Sequence, residues 1–248
     1  MSKKNEVATI PVGYGVVDTP ITLPEDLGLP YVKFISKSSP DFAKVAGLLG
    51  DPHLDGWPVL YRPKMDPIKL DPMRYFLVRA SEYWAQFDQS GNLVGMSRTR
   101  PESVQTPRFD QVIETAILVL VKGDGLVPAQ CRFKSTKCPA VYPAIRALVE
   151  ANDPAWFDKG PDYAFTRKIK EPLWGRFTVT ATKVDKANRT TGKPYPTMDA
   201  RINPITTSEL DSLMHFKGDA EAQELLKRVE NAYLRKVQDA RTKELQAA

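Results

Sequence analysis

The segment Val112–Thr136 constrains the fold more than any other part of the chain. Val112 to Val121 is nearly unbroken β-branched and aliphatic sequence, the pattern of a strand covered on both faces. Gly123-Asp124-Gly125 follows, and glycine takes positive φ at little cost, so the chain can reverse tightly there. Leu126 to Thr136 returns as the second arm. Prolines outnumber glycines 21 to 14, which argues against a bundle of long helices and for strands, turns and irregular connections.

The remaining elements are read from periodicity and turn chemistry. Tyr31–Ile35 and Val59–Tyr61 are short strand candidates, with a helix from Pro40 to Leu49 between them. Arg74–Phe87, the turn Asp88–Gly91 and Leu93–Met96 form a β-hairpin signature. Pro139, Val141, Ile145, Leu148 and Val149 spell a helix over 139–151. Leu173–Val184, a turn at Asn188–Gly192 and Tyr195–Ile202 make a second hairpin. Thr206-Thr-Ser-Glu-Leu is a helix-start signal, and a long helix is expected from Asp219 to Leu245, with Ala222, Leu226, Val229, Tyr233 and Val237 as its apolar stripe. Strands, a hairpin, one helix and a second hairpin fit a mainly β fold with α additions: a five-stranded OB barrel with its helix between the third and fourth strands. The expected organisation is an N-terminal arm and proline-rich extension over 1–70, the OB-like core over 71–205, and a C-terminal helical extension over 206–248.

No run approaches the roughly 20 apolar residues that span a bilayer. The most apolar piece, Ile117–Val121, is of strand length. The polar start Met1-Ser-Lys-Lys-Asn has no hydrophobic region behind it, and two cysteines, Cys131 and Cys138, cannot make a disulfide framework. A cytoplasmic protein (in the host cytoplasm if viral) is therefore expected, with membrane, secreted and collagen-like classes set aside.

The net charge of +5 is mild, but it is concentrated. Between Pro161 and Arg201 nine basic residues stand against four acids, and between Lys122 and Lys137 four stand against one. Such clusters make a local field for a polyanion, or else a solvated basic surface. Strand alternation sorts the candidates. Trp174, Arg176, Thr178, Thr180 and Thr182 oppose a core face of Leu173, Phe177, Val179 and Ala181. Gln130, Arg132, Lys134 and Thr136 fall together opposite Cys131 and Phe133. Tyr195 and Arg201 share a side, and Tyr75, Arg79 and Tyr83 alternate with Phe76, Val78 and Trp84. Aromatic rings stack on unpaired bases and neighbouring cations neutralise phosphates, so interleaved rings and cations suit a single-strand binder. The alternative for each ring is packing in the core or beneath the terminal helix. Trp174, Tyr195 and Tyr83 are the stacking candidates. Arg132, Lys134, Lys137, Arg176, Lys183, Lys186, Arg189, Lys193 and Arg201 are the candidates for phosphate and strand contact.

The Arg74-Tyr-Phe-Leu-Val strand, the Phe133-Lys-Ser-Thr-Lys137 segment leading into a helix, and the Gly192-Lys-Pro-Tyr195 hairpin strand together resemble phage-type single-stranded DNA-binding proteins with an OB-fold, over roughly residues 70–215. The resemblance implies cooperative, sequence-tolerant coating of single-stranded DNA in replication or recombination, without catalysis. The chain departs from bacterial relatives at its end, Thr242-Lys-Glu-Leu-Gln-Ala-Ala248, which lacks their acidic partner-binding tip. The terminal helix is left as a candidate for self-association, for docking a replication or recombination partner, or for capping the barrel.

Signals for catalysis are weak, and no cofactor, metal or catalytic residue is expected. His53 and His215 are far apart, and Cys131 and Cys138 lack a zinc-ligand spacing. Asn188-Arg-Thr-Thr-Gly-Lys193 lacks the first glycine of a phosphate loop and joins two strands, so it reads as a hairpin turn. The pairs Asp51/Asp55 and Asp66/Asp71 lie in proline-rich loops, where turn chemistry explains them. Two rival readings stay open: a structural or interaction protein, viral or not, and a metal-dependent nucleic-acid enzyme with carboxylates gathered in space.

Overall fold

The computed structural model describes residues 28–87, 93–97, 100–102, 108–152, 177–188 and 190–247. Strands β1 (Tyr31–Phe34), β2 (Pro58–Tyr61), β3 (Ile68–Lys69), β4 (Met73–Phe87), β5 (Leu93–Ser97), β6 (Asp110–Val121), β7 (Gly125–Lys134), β8 (Phe177–Ala187) and β9 (Pro194–Pro204) form one sheet. Helices α1 (Phe42–Leu49), α2 (Tyr142–Asn152), α3 (Thr207–Gly218) and α4 (Ala220–Ala247) are joined by a 3-10 turn at Ser135–Ala140.

The central hairpin is β6–β7. Its ten-residue register runs from Val112↔Lys134 to Val121↔Gly125, and the reversal uses positive φ at Gly123 (90°) and Gly125 (73°). Ile113, Ile117, Ala129 and Phe133 are fully buried on one face, and Ala116 and Leu118 on the other. Both faces are covered because the second half of the molecule supplies a layer to each.

The five-stranded OB barrel is not what forms. The main path runs β3-β2-β1-β7-β6-β4-β8-β9, with β5 also paired to β4, in a mixed sheet that curls like half a barrel. Three features of the sheet make the difference. β1 runs parallel to β7, at Tyr31↔Gln130 and Val32↔Cys131, so residues 31–69 enter the sheet as three strands. The edge of β4 opposite β6 is shared, with β8 at Met73–Tyr75 and β5 at Trp84–Phe87. Last, β9 ends the path, pairing only with β8 among the described residues. Asn188 N donates to Lys193 O at 2.9 Å, so odd-numbered residues of β9 bond to β8 and even-numbered ones face away. Pro194, Pro196 and Pro204 are even-numbered and bring no N–H to that edge, which blunts it against a further strand.

On the concave face Val32, Leu60, Tyr75, Leu77, Ile117, Phe133, Val141, Ala144, Val179 and Met198 form the larger core. On the convex face Phe76, Val78, Ala116 and Leu118 pack beneath Leu213 and Phe216 of α3 and Leu226 and Val229 of α4. Thr206 starts α3 with a capping box: its hydroxyl accepts from Glu209 N, and the Glu209 carboxylate accepts from Thr206 N at 2.7 Å. Glu209 is 1% exposed and also pairs with Arg74 on β4, tying α3 to the sheet.

Candidate nucleic-acid interface

A bulge in β4 redistributes the residues that strand alternation had placed together. Leu77 pairs with Ile117 and Arg79 with Ala116, leaving Val78 as an extra residue. Side-chain parity flips there. Tyr75 points into the concave core, while Arg79, Ser81 and Tyr83 turn to the convex face beneath α4.

That convex face is polar and closed. Arg79 Nε meets Glu230 Oε1 of α4 at 2.9 Å, and Gln130 Nε2 donates to Val229 O at 3.3 Å. Arg132 donates from Nε (2.8 Å) and Nη2 (2.5 Å) to Glu114 Oε1, its cross-strand neighbour. Tyr83 is 8% exposed, and burial with the adjacent Glu114 pushes its phenol well up. Tyr233 of α4 is likewise pushed up by burial. Arg132 keeps its charge because the Glu114 carboxylate outweighs the cost of burial. Tyr83 thus lies buried beside Tyr233 of the terminal helix, not on a solvent-facing groove, and Arg132, its side chain 28% exposed, is neutralised by Glu114.

Lys134 is committed too: its ammonium lies 3.0 Å from Asp110 Oδ2 and 3.8 Å from the centre of the Phe87 ring. Lys137, in the 3-10 turn, stands 5.6 Å over Phe34 and makes no ion pair among the described residues, and burial draws its pKa down.

The β8–β9 ribbon is different. Among the described residues only Met73–Tyr75 of β4 pairs with it, through Val179–Ala181, and its middle rests on the 3-10 turn and the core through buried Thr197 and Met198, leaving the tip and the outer side chains to solvent. Asn188 closes its tip: the side-chain oxygen accepts from Thr190 N (2.9 Å) and Thr191 N (3.0 Å), which is the hairpin turn expected of this segment. Lys186 sits directly across from Tyr195, and Arg201 across from Thr180 on the same side, together with Thr182 and Asp199. Lys186, Lys193 and Arg201 are exposed and Tyr195 is half-buried. Lys183 takes the opposite side, 5.8 Å from the centre of Trp57. Among the described residues no carboxylate lies within ion-pair distance of Lys183, Lys186, Lys193 or Arg201. Trp174, Arg176 and Arg189 lie outside the described residues.

Trp57 lies in the Asp55-Gly-Trp-Pro58 loop before β2, where neither strand alternation nor a charge cluster singles it out. Lys69 stands 4.3 Å over its ring and is itself held by Asp51 at 2.8 Å and Asp71 at 3.3 Å. The Lys69 contact, with the His53 amide (2.8 Å), lowers the Asp51 pKa. Asp55 Oδ1 accepts from Lys37 N at 2.9 Å. Asp51 and Asp55 are therefore engaged in turn and ion-pair contacts.

Cys131 and Cys138 are buried free thiols, and burial pushes Cys138 up to about 12. Among the described residues no three His, Cys, Asp or Glu side chains are grouped so as to hold a metal ion, and no helix is long and apolar enough to cross a membrane. Compared with known proteins, the chain matches no family model, no curated protein and no solved structure.

Proposed function

We propose that this is a non-catalytic protein that binds single-stranded DNA without sequence preference, in replication or recombination, through the β8–β9 ribbon. One observation carries the reading. Arg79, Arg132 and Lys134 on the sheet are paired with carboxylates, whereas Lys183, Lys186, Lys193 and Arg201 on the ribbon have none within ion-pair distance among the described residues. Unpaired, solvated cations retain condensed-counterion exchange as a driving force for phosphate, which ion-paired ones have lost. Tyr195 beside Lys186 adds a flat ring at the same place. From Tyr195 to Arg201 the strand extends roughly 20 Å at about 3.3 Å per residue, with Thr197 between them buried against Thr136 O, so the exposed contacts lie at the two ends of that span.

Fluorescence anisotropy with labelled oligo-dT at rising salt tests the proposal. Binding should fall steeply as salt increases, and Lys186→Glu with Lys193→Glu should flatten the log–log slope by roughly 1.4, about 0.7 for each lost phosphate contact. Absent binding at low salt would defeat it. A second reading, an interaction protein, is favoured by Leu210 (44% exposed) and Met214 (61%), one helical turn apart on α3 and so on one side. It gains if oligo-dT does not bind.

A further inference from the structure

We infer that Trp57 is a base-stacking station at the foot of the ribbon, taking an unpaired nucleobase whose flanking phosphates meet Lys183 and Lys137. The inference rests on the single-strand reading above and adds a site on the opposite side of the ribbon from Lys186 and Arg201.

The ring is held on a rigid platform. Trp57 N donates to Leu54 O at 2.9 Å, Trp57 O accepts from Ile35 N at 3.0 Å, and Gly56 N donates to Ile35 O at 2.7 Å. These bonds anchor the loop to β1 on both sides of the tryptophan. Gly56 brings the ribbon to the same spot. A Cβ on Gly56 would stand 2.8 Å from Pro196 Cβ and 3.7 Å from Lys183 Cε, so the ribbon's side chains rest on the loop backbone where only glycine fits. Lys183 therefore reaches the tryptophan from a docked strand, not from a free-swinging stem.

The charges around the ring differ in availability. Lys69 is neutralised by Asp51 and Asp71, while among the described residues Lys183 has no carboxylate partner. Lys137 stands over Phe34, whose strand partner Pro58 is the residue after Trp57. Trp57, Phe34, Lys137 and Lys183 are each half-buried, so each keeps some surface open to solvent. A flat ring beside two ammonium groups that make no ion pair among the described residues, with the Asp55 carboxylate acting on Lys137 only from further off, suits a ligand that is flat and anionic at once. An unpaired nucleotide is both. A simple anion would gain nothing from the indole.

The test compares labelled oligo-dT with an abasic strand of the same length and charge. Wild-type protein should prefer oligo-dT, and Trp57→Ala should erase most of that preference, weakening oligo-dT binding about tenfold while leaving abasic binding and the salt slope unchanged. Trp57→Phe retains a ring and should fall between the two. It also serves as the folded control if the alanine variant fails to fold. The intrinsic fluorescence quench on adding oligo-dT should shrink in Trp57→Phe, the chain having four tryptophans. If the wild type binds oligo-dT and the variants keep both its affinity and its preference, the stacking station is wrong and the ribbon reading stands. If the wild type binds neither strand, both fall.

Discussion

Arg79 and Glu230 are 151 residues apart in the chain and 2.9 Å apart in the fold. Their side chains are 14% and 10% exposed, and the contact fastens α4 across the polar face of β4, β6 and β7. A buried pair broken on one side leaves a charge without compensation. Arg79→Met should therefore lower stability by about 3 kcal/mol, read from urea unfolding. Arg79→Met with Glu230→Leu should recover most of it, since an apolar replacement of both partners is often neutral. Equal losses in the single and double variants would show that the pair does not hold the helix.

Gly56 is the complement of that clamp on the other face. With φ at 80° and Pro196 Cβ 2.8 Å from where its own Cβ would lie, Gly56→Ala should cost about 1–2 kcal/mol in backbone strain alone and push the ribbon off the loop. Trypsin should then cut faster between Lys186 and Lys193. Adding Pro196→Gly removes the colliding atom and should slow the cleavage again. Unchanged cleavage in Gly56→Ala would mean that the contact does not position the ribbon.

Arg132 and Lys186 should behave as opposites. Arg132→Met leaves Glu114, itself 7% exposed, without its arginine, and should cost about 3 kcal/mol of stability with the salt slope for oligo-dT unaltered. Lys186→Glu should leave unfolding within about 0.5 kcal/mol of the wild type and weaken oligo-dT binding. A flattened slope in Arg132→Met would return that arginine to the binding surface.

Alkaline pH should destabilise the protein through groups that burial keeps protonated. Cys131 is raised well above 9.0 and Cys138 to about 12, and Tyr75, Tyr83, Tyr142 and Tyr233 are raised above 10.0. Above about pH 9 the unfolded chain releases protons that the folded chain retains, so stability falls as pH rises, approaching about 1.4 kcal/mol per pH unit for each such group. Below the unfolded values this stability is fully present. Urea midpoints should hold between about pH 7 and 8 and then drop, more steeply above 10 as tyrosines join the thiols. Both thiols should also resist Ellman's reagent in the native protein at about pH 8 and react once unfolded. Rapid native labelling would contradict their burial.

Local structure was largely written in the chain. The aliphatic run at 112–121, the Gly-Asp-Gly reversal, the Asn188 turn and the Thr206 cap each act over a few residues, where turn chemistry, capping and alternation are decided by nearest neighbours. Tertiary contacts decided the rest. Nothing near Tyr31 or Gln130 announces that they will pair in parallel, and this long-range contact makes an open sheet of what local order suggested was a barrel. One extra residue at Val78 sends Tyr75 and Tyr83 to opposite faces, because period-two alternation has no memory across a bulge. Whether a cation is free or neutralised depends on which carboxylate the fold brings to it. Arg132 meets Glu114 across a strand pair, while Lys186 meets Tyr195. Side-chain chemistry is carried by the residue, but its availability to a ligand is a property of distances between parts of the chain that only folding sets.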